Sequence, residues 1–172
     1  GVEIDSTWLP TDWLTLRLGS GYTRARFDEF PIGTCSFDRP NEDGDDDSRC
    51  DLSGRPLEHT PEWTHSLTAL VRQPLTGVLG GIEFTSGITF EYKDEYFANA
   101  TLDERTLQES YTRVNAHIGL AGGKGWSISI NGYNLTDEVV SLHTRDFSLV
   151  GGTFFQVLDR PRRIESTFRW AF

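Results

Sequence analysis

Polar and apolar residues alternate one by one along most of the chain, and this period of two is typical of a β-strand rather than a helix. In the clearest interior run, Glu83 and Glu91 alternate with apolar neighbours such as Phe84, Phe90 and Tyr92. The same alternation predicts strands at about 2–8, 14–22, 63–72, 82–93, 111–120, 126–134 and 163–172. We therefore expect an all-β fold of about seven strands.

The breaks between these strands alternate strictly between short and long. Short turns are predicted at 9–12, 73–79 and 122–125, and long polar loops at about 28–60, 94–106 and 135–160. A soluble sandwich or meander has no reason to keep every long loop at one end of its sheet. Outer-membrane barrels do so, with short turns on the periplasmic side and long loops outside. The last long loop also contains apolar patches at 139–140 and 154–155, which leave room for a short hairpin of its own.

Polar and charged residues fall on one face of most predicted strands, and aromatic residues fall at strand ends. In a membrane barrel the polar face lines a hydrated lumen, and amphipathic rings form girdles at the bilayer interface. The candidate lumen-facing residues are Arg17, Glu83, Glu91, Arg113, His117, Arg163, Glu165 and Arg169. The candidate girdle residues are Trp8, Trp63, Trp126, Trp170 and Phe172. The pattern favours an antiparallel transmembrane β-barrel segment, although polar faces and terminal aromatics also occur in soluble sheets.

Seven strands do not make a complete membrane barrel. The unpaired N–H and C=O groups at the edges of an open sheet are too costly in lipid, so spanning sheets close on themselves. Bacterial single-chain barrels use an even number of strands, at least about eight. The chain of 172 residues contains no Met and opens directly on a strand pattern. We therefore expect a processed chain or a segment of a larger barrel.

The composition excludes several classes of function. The chain is 37% hydrophobic, and no apolar stretch approaches the roughly 18 residues that a spanning helix needs. Its formal net charge is -10, which argues against nucleic-acid binding because that binding depends on Lys and Arg neutralising phosphates. The sequence contains no nucleophile–base pairing and no phosphate loop, so we expect neither an enzyme nor a cofactor.

The two cysteines, Cys35 and Cys50, lie within one polar segment. They are too few and too far apart for a zinc site, and no metal site is predicted. We interpret them as a disulfide formed in an oxidising compartment, which closes a loop of about 15 residues. The acidic run from Asp38 to Asp51 is interpreted as a solvated loop, with a cation site as the weaker alternative.

Four segments carry a family resemblance. They are the opening Gly1-Val2-Glu3-Ile4-Asp5, the run Cys50–Leu57 followed by Thr60-Pro61-Glu62-Trp63, the segment Asn134-Leu135-Thr136-Asp137-Glu138, and Arg160-Pro161-Arg162-Arg163 leading to a terminal Phe172. In this order and at this spacing, they resemble the C-terminal part of the barrel of TonB-dependent outer-membrane receptors.

The resemblance implies a barrel of about 22 strands, plugged by an N-terminal domain, in which residues 1–172 form roughly the last seven strands. It implies uptake of a scarce solute, most commonly a ferric siderophore, with energy supplied by the TonB complex through the N-terminal part. Outer-membrane lipid and lipopolysaccharide would surround the barrel. The resemblance also implies that the barrel-assembly machinery recognises a C-terminal signal formed by Phe168, Trp170 and Phe172.

Two other functions stay open at this point. One is a soluble secreted β-sandwich that binds carbohydrate or protein through its long loops. The other is a small structural outer-membrane barrel, which needs at least one strand more than the pattern predicts.

Overall fold

The computed structural model describes residues 1–36, 38, 49–77, 81–123, 125–147 and 149–171. These residues form an all-β structure whose largest part is one antiparallel sheet of seven strands. The strands of this sheet are β1 (Val2–Thr11), β2 (Leu14–Tyr22), β5 (Trp63–Leu75), β6 (Ile82–Lys93), β9 (Tyr111–Gly122), β10 (Trp126–Tyr133) and β13 (Arg163–Trp170). They lie side by side in chain order, so the predicted fold class and strand number are confirmed.

The long loops carry the remaining secondary structure. The first long loop (23–62) contains the pair β3 (Gly33–Thr34) and β4 (Arg49–Cys50), and the second (94–110) contains β7 (Tyr96–Phe97) and β8 (Leu107–Gln108). Glu104–Thr106 form a single 3-10 turn. The third long loop (134–162) contains the hairpin of β11 (Ser141–Asp146) and β12 (Phe154–Leu158), so the expected extra hairpin exists, outside the main sheet.

The predicted turn boundaries were wrong at two places. The turn predicted at 73–79 begins later, because β5 continues through Pro74, which lies opposite Glu83 of β6. Pairing between β5 and β2 stops at Val71, so the missing N–H of Pro74 falls where one edge of β5 has no strand neighbour. The first turn is also shorter than predicted, because β1 runs to Thr11 through a register shift after Trp8.

The apolar face of the main sheet is uncovered. Side chains on this face such as Ile4, Leu67, Ile118, Ile130 and Ile164 are between 46% and 69% exposed. A soluble sandwich would bury these side chains under a second sheet, and the described residues contain no such layer. The arrangement therefore argues against the sandwich.

Aromatic rings on this uncovered face lie towards both strand ends. Tyr22 and Trp63 meet beside the first long loop, with ring centroids 4.7 Å apart. Trp126 and Trp170 lie opposite each other at the end with the short turn. The predicted placement of Trp63, Trp126 and Trp170 at strand ends therefore holds in the structure.

The main sheet does not close into a barrel. Within the described ranges, β1 and β13 each have a strand neighbour on one side only. The small structural barrel considered as an alternative needs at least one more strand in this sheet, and the described residues supply none there. No helix in the described part of the chain has the length and apolar character needed to cross a bilayer.

If the uncovered face meets lipid, a charge there will be far more costly than on the other face. Ile130 and Ser129 are neighbours on β10 whose side chains lie on opposite faces of the sheet. In the complete barrel, we expect Ile130→Arg to lower the free energy of unfolding in lipid by about 2–4 kcal/mol. The matched control Ser129→Arg should change it by less than about 1 kcal/mol. Denaturant unfolding in phospholipid vesicles measures both, and equal losses would contradict a lipid-facing role.

Candidate functional site

The polar face of the main sheet is the first part of the candidate site. The strand register puts all eight candidate lumen-facing residues on this one face. Glu91 of β6 lies directly opposite Arg113 of β9, and His117 lies opposite Gly87. A side chain at position 87 would meet the His117 ring, so glycine there leaves room for the imidazole. That this face lines a lumen stays a prediction.

The charged residues of this face form separate local contacts. The side chain of Arg163 is 3.3 Å from that of Glu165 and stacks 4.3 Å from the ring centroid of Tyr133. Arg72, which was not among the candidates, pairs with Glu83 at 2.9 Å. No ion pair within the described residues involves Arg17 or Arg169.

Two further contacts connect the polar face to the long loops. Arg113 pairs with Asp159 of the third long loop at 2.9 Å. The amide of Asn115 donates to Glu91 at 3.1 Å, while its carbonyl oxygen accepts from the backbone N–H of Asn134 at 2.9 Å. The outer end of the polar face is therefore tied directly to the third long loop.

A shallow groove of about 270 Å³ crosses the polar face between β1 and β6. Its charged walls are Glu3, Asp5, Glu91 and Lys93. Gly19 belongs to its floor, where an added side chain would lie 2.8 Å from the Ser66 hydroxyl. Small floor residues between charged walls make a polar surface that water or a hydrated solute can occupy.

The second part of the site is a small core shared by the first and second long loops. Cys35 and Cys50 form a disulfide with Cα atoms 5.2 Å apart. Leu52 and Leu102 are buried against it, with the rings of Phe27, Phe30 and Phe97 packed around them. Leu102 comes from the other loop and has φ of +50°, a conformation that is costly for leucine. Its buried side chain holds the second loop onto the disulfide of the first.

Arg105 joins all three long loops. Its guanidinium donates to both carboxylate oxygens of Asp38 in the first loop, each at 2.8 Å. It also donates to Asp103 at 2.9 and 2.7 Å and stacks 4.4 Å from the ring centroid of Phe154 in the third loop. Asp103 accepts a further hydrogen bond of 2.7 Å from Ser36. One cation thus holds groups from three distant parts of the chain.

Hydrogen bonds to backbone groups of β11 continue this connection between the second and third loops. The N–H of Thr144 in β11 donates to the carbonyl of Ala98 at 2.9 Å, and the Asn99 amide donates to the Thr144 carbonyl at 2.6 Å. The N–H of Ser141 donates to the side chain of Gln108 at 2.7 Å. We call the three joined loops (the described residues of 23–62, 94–110 and 134–162) the loop cap.

The electrostatics of the loop cap follow from its burial and from Arg105. Hydrogen bonds from Arg105 hold the pKa of the Asp103 carboxyl well below its ordinary value, and the same cation lowers the pKa of Asp38. The paired carboxylates in turn raise the pKa of Arg105. Burial raises the pKa of the Tyr96 hydroxyl to about 12, with the neighbouring Tyr111 adding to the effect. The acids and Arg105 are therefore charged, and Tyr96 is neutral, at any physiological pH.

A family profile described as "TonB dependent receptor-like, beta-barrel" matches residues 1–135. The chain belongs to the TonB-dependent receptor β-barrel family. The fold is also similar to the crystal structure of the ferric yersiniabactin uptake receptor FyuA from Yersinia pestis, with a TM-score of 0.69 and 12% sequence identity. The match covers 99% of this chain and 23% of the FyuA chain, so the chain spans about a quarter of that receptor. Comparison with curated proteins found no match.

The structure tests some of the sequence predictions for this segment only in part. Phe168 and Trp170 lie on the uncovered face near the end of β13, with ring centroids 6.2 Å apart, and their role in assembly stays a prediction. Phe172 lies outside the described residues, as does most of the acidic run proposed as a weak cation site. Within the described ranges, no group of three or more His, Cys, Asp or Glu residues is arranged to hold a metal ion.

Sequence patterns give almost no indication of the centre of the loop cap. Arg105 and Asp38 are 67 residues apart, in segments without strand periodicity. The Asp103 carboxylate accepts from the backbone N–H of Arg105, a short-range pattern that Asp often makes in turns, and this was the only local signal. Arg55 donates to the Leu102 carbonyl at 3.1 Å, and no local sequence signal indicated this contact.

Removing Arg105 will open the loop cap. In Arg105→Ala the Asp103 carboxylate, which is 8% exposed, loses its cation. We expect the local opening free energy to fall by about 2 kcal/mol, so that a phosphine reductant reaches the buried Cys35–Cys50 disulfide about 30-fold faster. Arg72→Ala is the matched control, because its pair with Glu83 lies near a short turn at the other end of the sheet. Equal reduction rates in the two variants would contradict the assignment.

The same reduction rate will depend on pH in one direction. Because folding lowers the pKa of Asp103, its ion pair contributes full stability above the unfolded value of about 3.9 and loses it as pH falls through the folded value. After division by the rate for a small exposed disulfide, which cancels protonation of the phosphine, we expect a flat rate from pH 7 to about 4 and a rise below that. In Asp103→Asn the rate should be raised at neutral pH and vary less with acid. A wild-type rate that rises already between pH 7 and 5 would contradict the assignment.

Proposed function

We propose that the complete receptor containing this chain takes up a scarce, large solute across the bacterial outer membrane in a TonB-dependent manner. The observation that carries the proposal is the difference between the two faces of one sheet. The sheet is uncovered and apolar on one face and polar on the other, with its long loops joined at one end. Such a sheet suits a barrel wall between lipid and a hydrated path.

The loop cap supports a role in capturing the solute. Loops on the outer side of a barrel are the first part of the protein that an external solute meets. Here they are held together by the disulfide, by Arg105 and by backbone pairing. A surface that is ordered before binding loses less conformational entropy on binding, which favours affinity. The groove and the charged residues of the polar face then offer a wet path beneath the cap.

A ferric siderophore is the solute we propose. The support is the family resemblance together with the similar fold of a receptor named for ferric yersiniabactin uptake. Cobalamin, other metal chelates and oligosaccharides are the alternative solutes. The proposed role is binding and transport, and the polar face contains no arrangement that we interpret as catalytic.

The other proposed partners follow from the same location. The TonB complex would supply energy through an N-terminal part of the receptor, because the outer membrane itself holds no nucleotide or ion gradient. The uncovered face would contact outer-membrane lipid and lipopolysaccharide. Phe168 and Trp170, with the terminal Phe172, would form the signal that the barrel-assembly machinery recognises.

Uptake measurements on cells test the proposal. We expect disruption of the receptor gene to abolish uptake of at least one radioiron-labelled siderophore under iron limitation, and disruption of TonB to abolish the same uptake. Labelled cobalamin and oligosaccharides serve as parallel solutes. Unchanged uptake of every iron chelate, with loss of uptake of another solute, would overturn the siderophore and keep the transport role. Uptake of all solutes independent of both genes would overturn the role itself.

A further inference from the structure

The β11–β12 hairpin presents an apolar strand to water. Phe155, Val157 and Leu158 of β12 are 47%, 50% and 52% exposed. Unlike the apolar face of the main sheet, this strand belongs to the third long loop, in a hairpin that lies outside the main sheet. Lipid therefore does not explain the exposure, and an exposed apolar strand edge in water promotes association with another strand.

The hairpin is already anchored on one side. Along β11, Thr144 pairs with Ala98 and Asn99 of the second long loop. Phe154 of β12 covers the Arg105 guanidinium beneath the hairpin. The order across the loop cap is therefore second loop, β11, β12, and within the described ranges no strand follows β12.

Chain order relates the open edge of β12 to the open edge of β13. In the main sheet the order is β9, β10, β13, and the second loop leads into β9 while the hairpin connects β10 to β13. β12 is separated from β13 only by residues 159–162. If the order second loop, β11, β12 follows the order β9, β10, β13, the strand that pairs with β13 in a closed barrel emerges beside β12.

We propose that the outer extension of the barrel strand that pairs with β13 also pairs with β12, and that its apolar side chains cover Phe155 and Val157. This inference rests on the proposed function, because it needs the closed barrel. A strand edge offers a row of backbone N–H and C=O groups, which another extended backbone satisfies along its whole length and a compact solute does not. The contact would join the loop cap to the barrel strand that pairs with β13, at the place where the barrel closes.

Cysteine labelling of the complete receptor tests this contact. The side chains of Phe155 and Val157 share one face of the hairpin, and Leu149 at its tip is 84% exposed. Single variants Phe155→Cys, Val157→Cys and the control Leu149→Cys are treated on intact cells with a membrane-impermeant maleimide. The two cysteines of this chain form the disulfide, and the receptor without an added cysteine gives the background reaction. Heat-modifiable gel mobility verifies that each variant is folded.

The proposed contact predicts a clear difference between the three sites. We expect positions 155 and 157 to react at least about tenfold more slowly than position 149 in the native receptor, and equally fast after unfolding. Equal native rates would overturn the contact while keeping the outer-surface location. If position 149 reacts only after the membrane is disrupted, the proposed location fails, and the contact fails with it.

Hydrogen exchange on the unsubstituted receptor gives a result that does not depend on any variant. In a strand paired on one side only, alternate amides point away from the partner and exchange quickly. We expect the amides of 155–158 to be protected without this alternation. A strict alternation of fast and slow amides would overturn the second pairing of β12.

Discussion

Lateral backbone pairing within a single layer is the constraint on which this structure depends. Within the described residues the main sheet has no second layer to hold it, so strand register alone decides which side chains lie on the apolar face and which on the polar face. A slip of one residue would exchange the two faces. Cross-strand pairs such as Thr68 and Thr89, whose hydroxyls are 3.0 Å apart, help hold that register on the polar face. Pro74 of β5 falls beyond the reach of β2, so its missing N–H interrupts no pairing.

The loops above the sheet are held by a different kind of interaction. In water, and without a layer to pack on, they build a small core of their own around the Cys35–Cys50 disulfide and fasten it with Arg105. The guanidinium suits this task because its planar set of donors reaches two carboxylates while its face packs on Phe154. A surface segment that would otherwise be mobile becomes a fixed shape above the polar face.

The main sheet and the loop cap are connected at the end of the sheet where the long loops begin. Arg113 and Asn115 belong to β9, yet both contact the third long loop, through Asp159 and the backbone of Asn134. Asn134 itself has φ of +49°, a left-handed conformation that asparagine tolerates better than most residues. A change in the loop cap would therefore also disturb the adjacent end of the polar face. These contacts give the chain a direct physical connection between the loop cap and the polar face.

The sequence by itself determined the strands, their number and their two faces, because a period of two is a local property that each segment carries independently. It also indicated the disulfide, since both cysteines lie within one loop. Only the tertiary structure decided that Arg105 meets Asp38 and that Leu102 covers the disulfide, because these contacts join segments with no shared period. It also decided that β5 runs through Pro74, since the length of the neighbouring strand, and not the proline alone, determines whether the missing N–H is harmful.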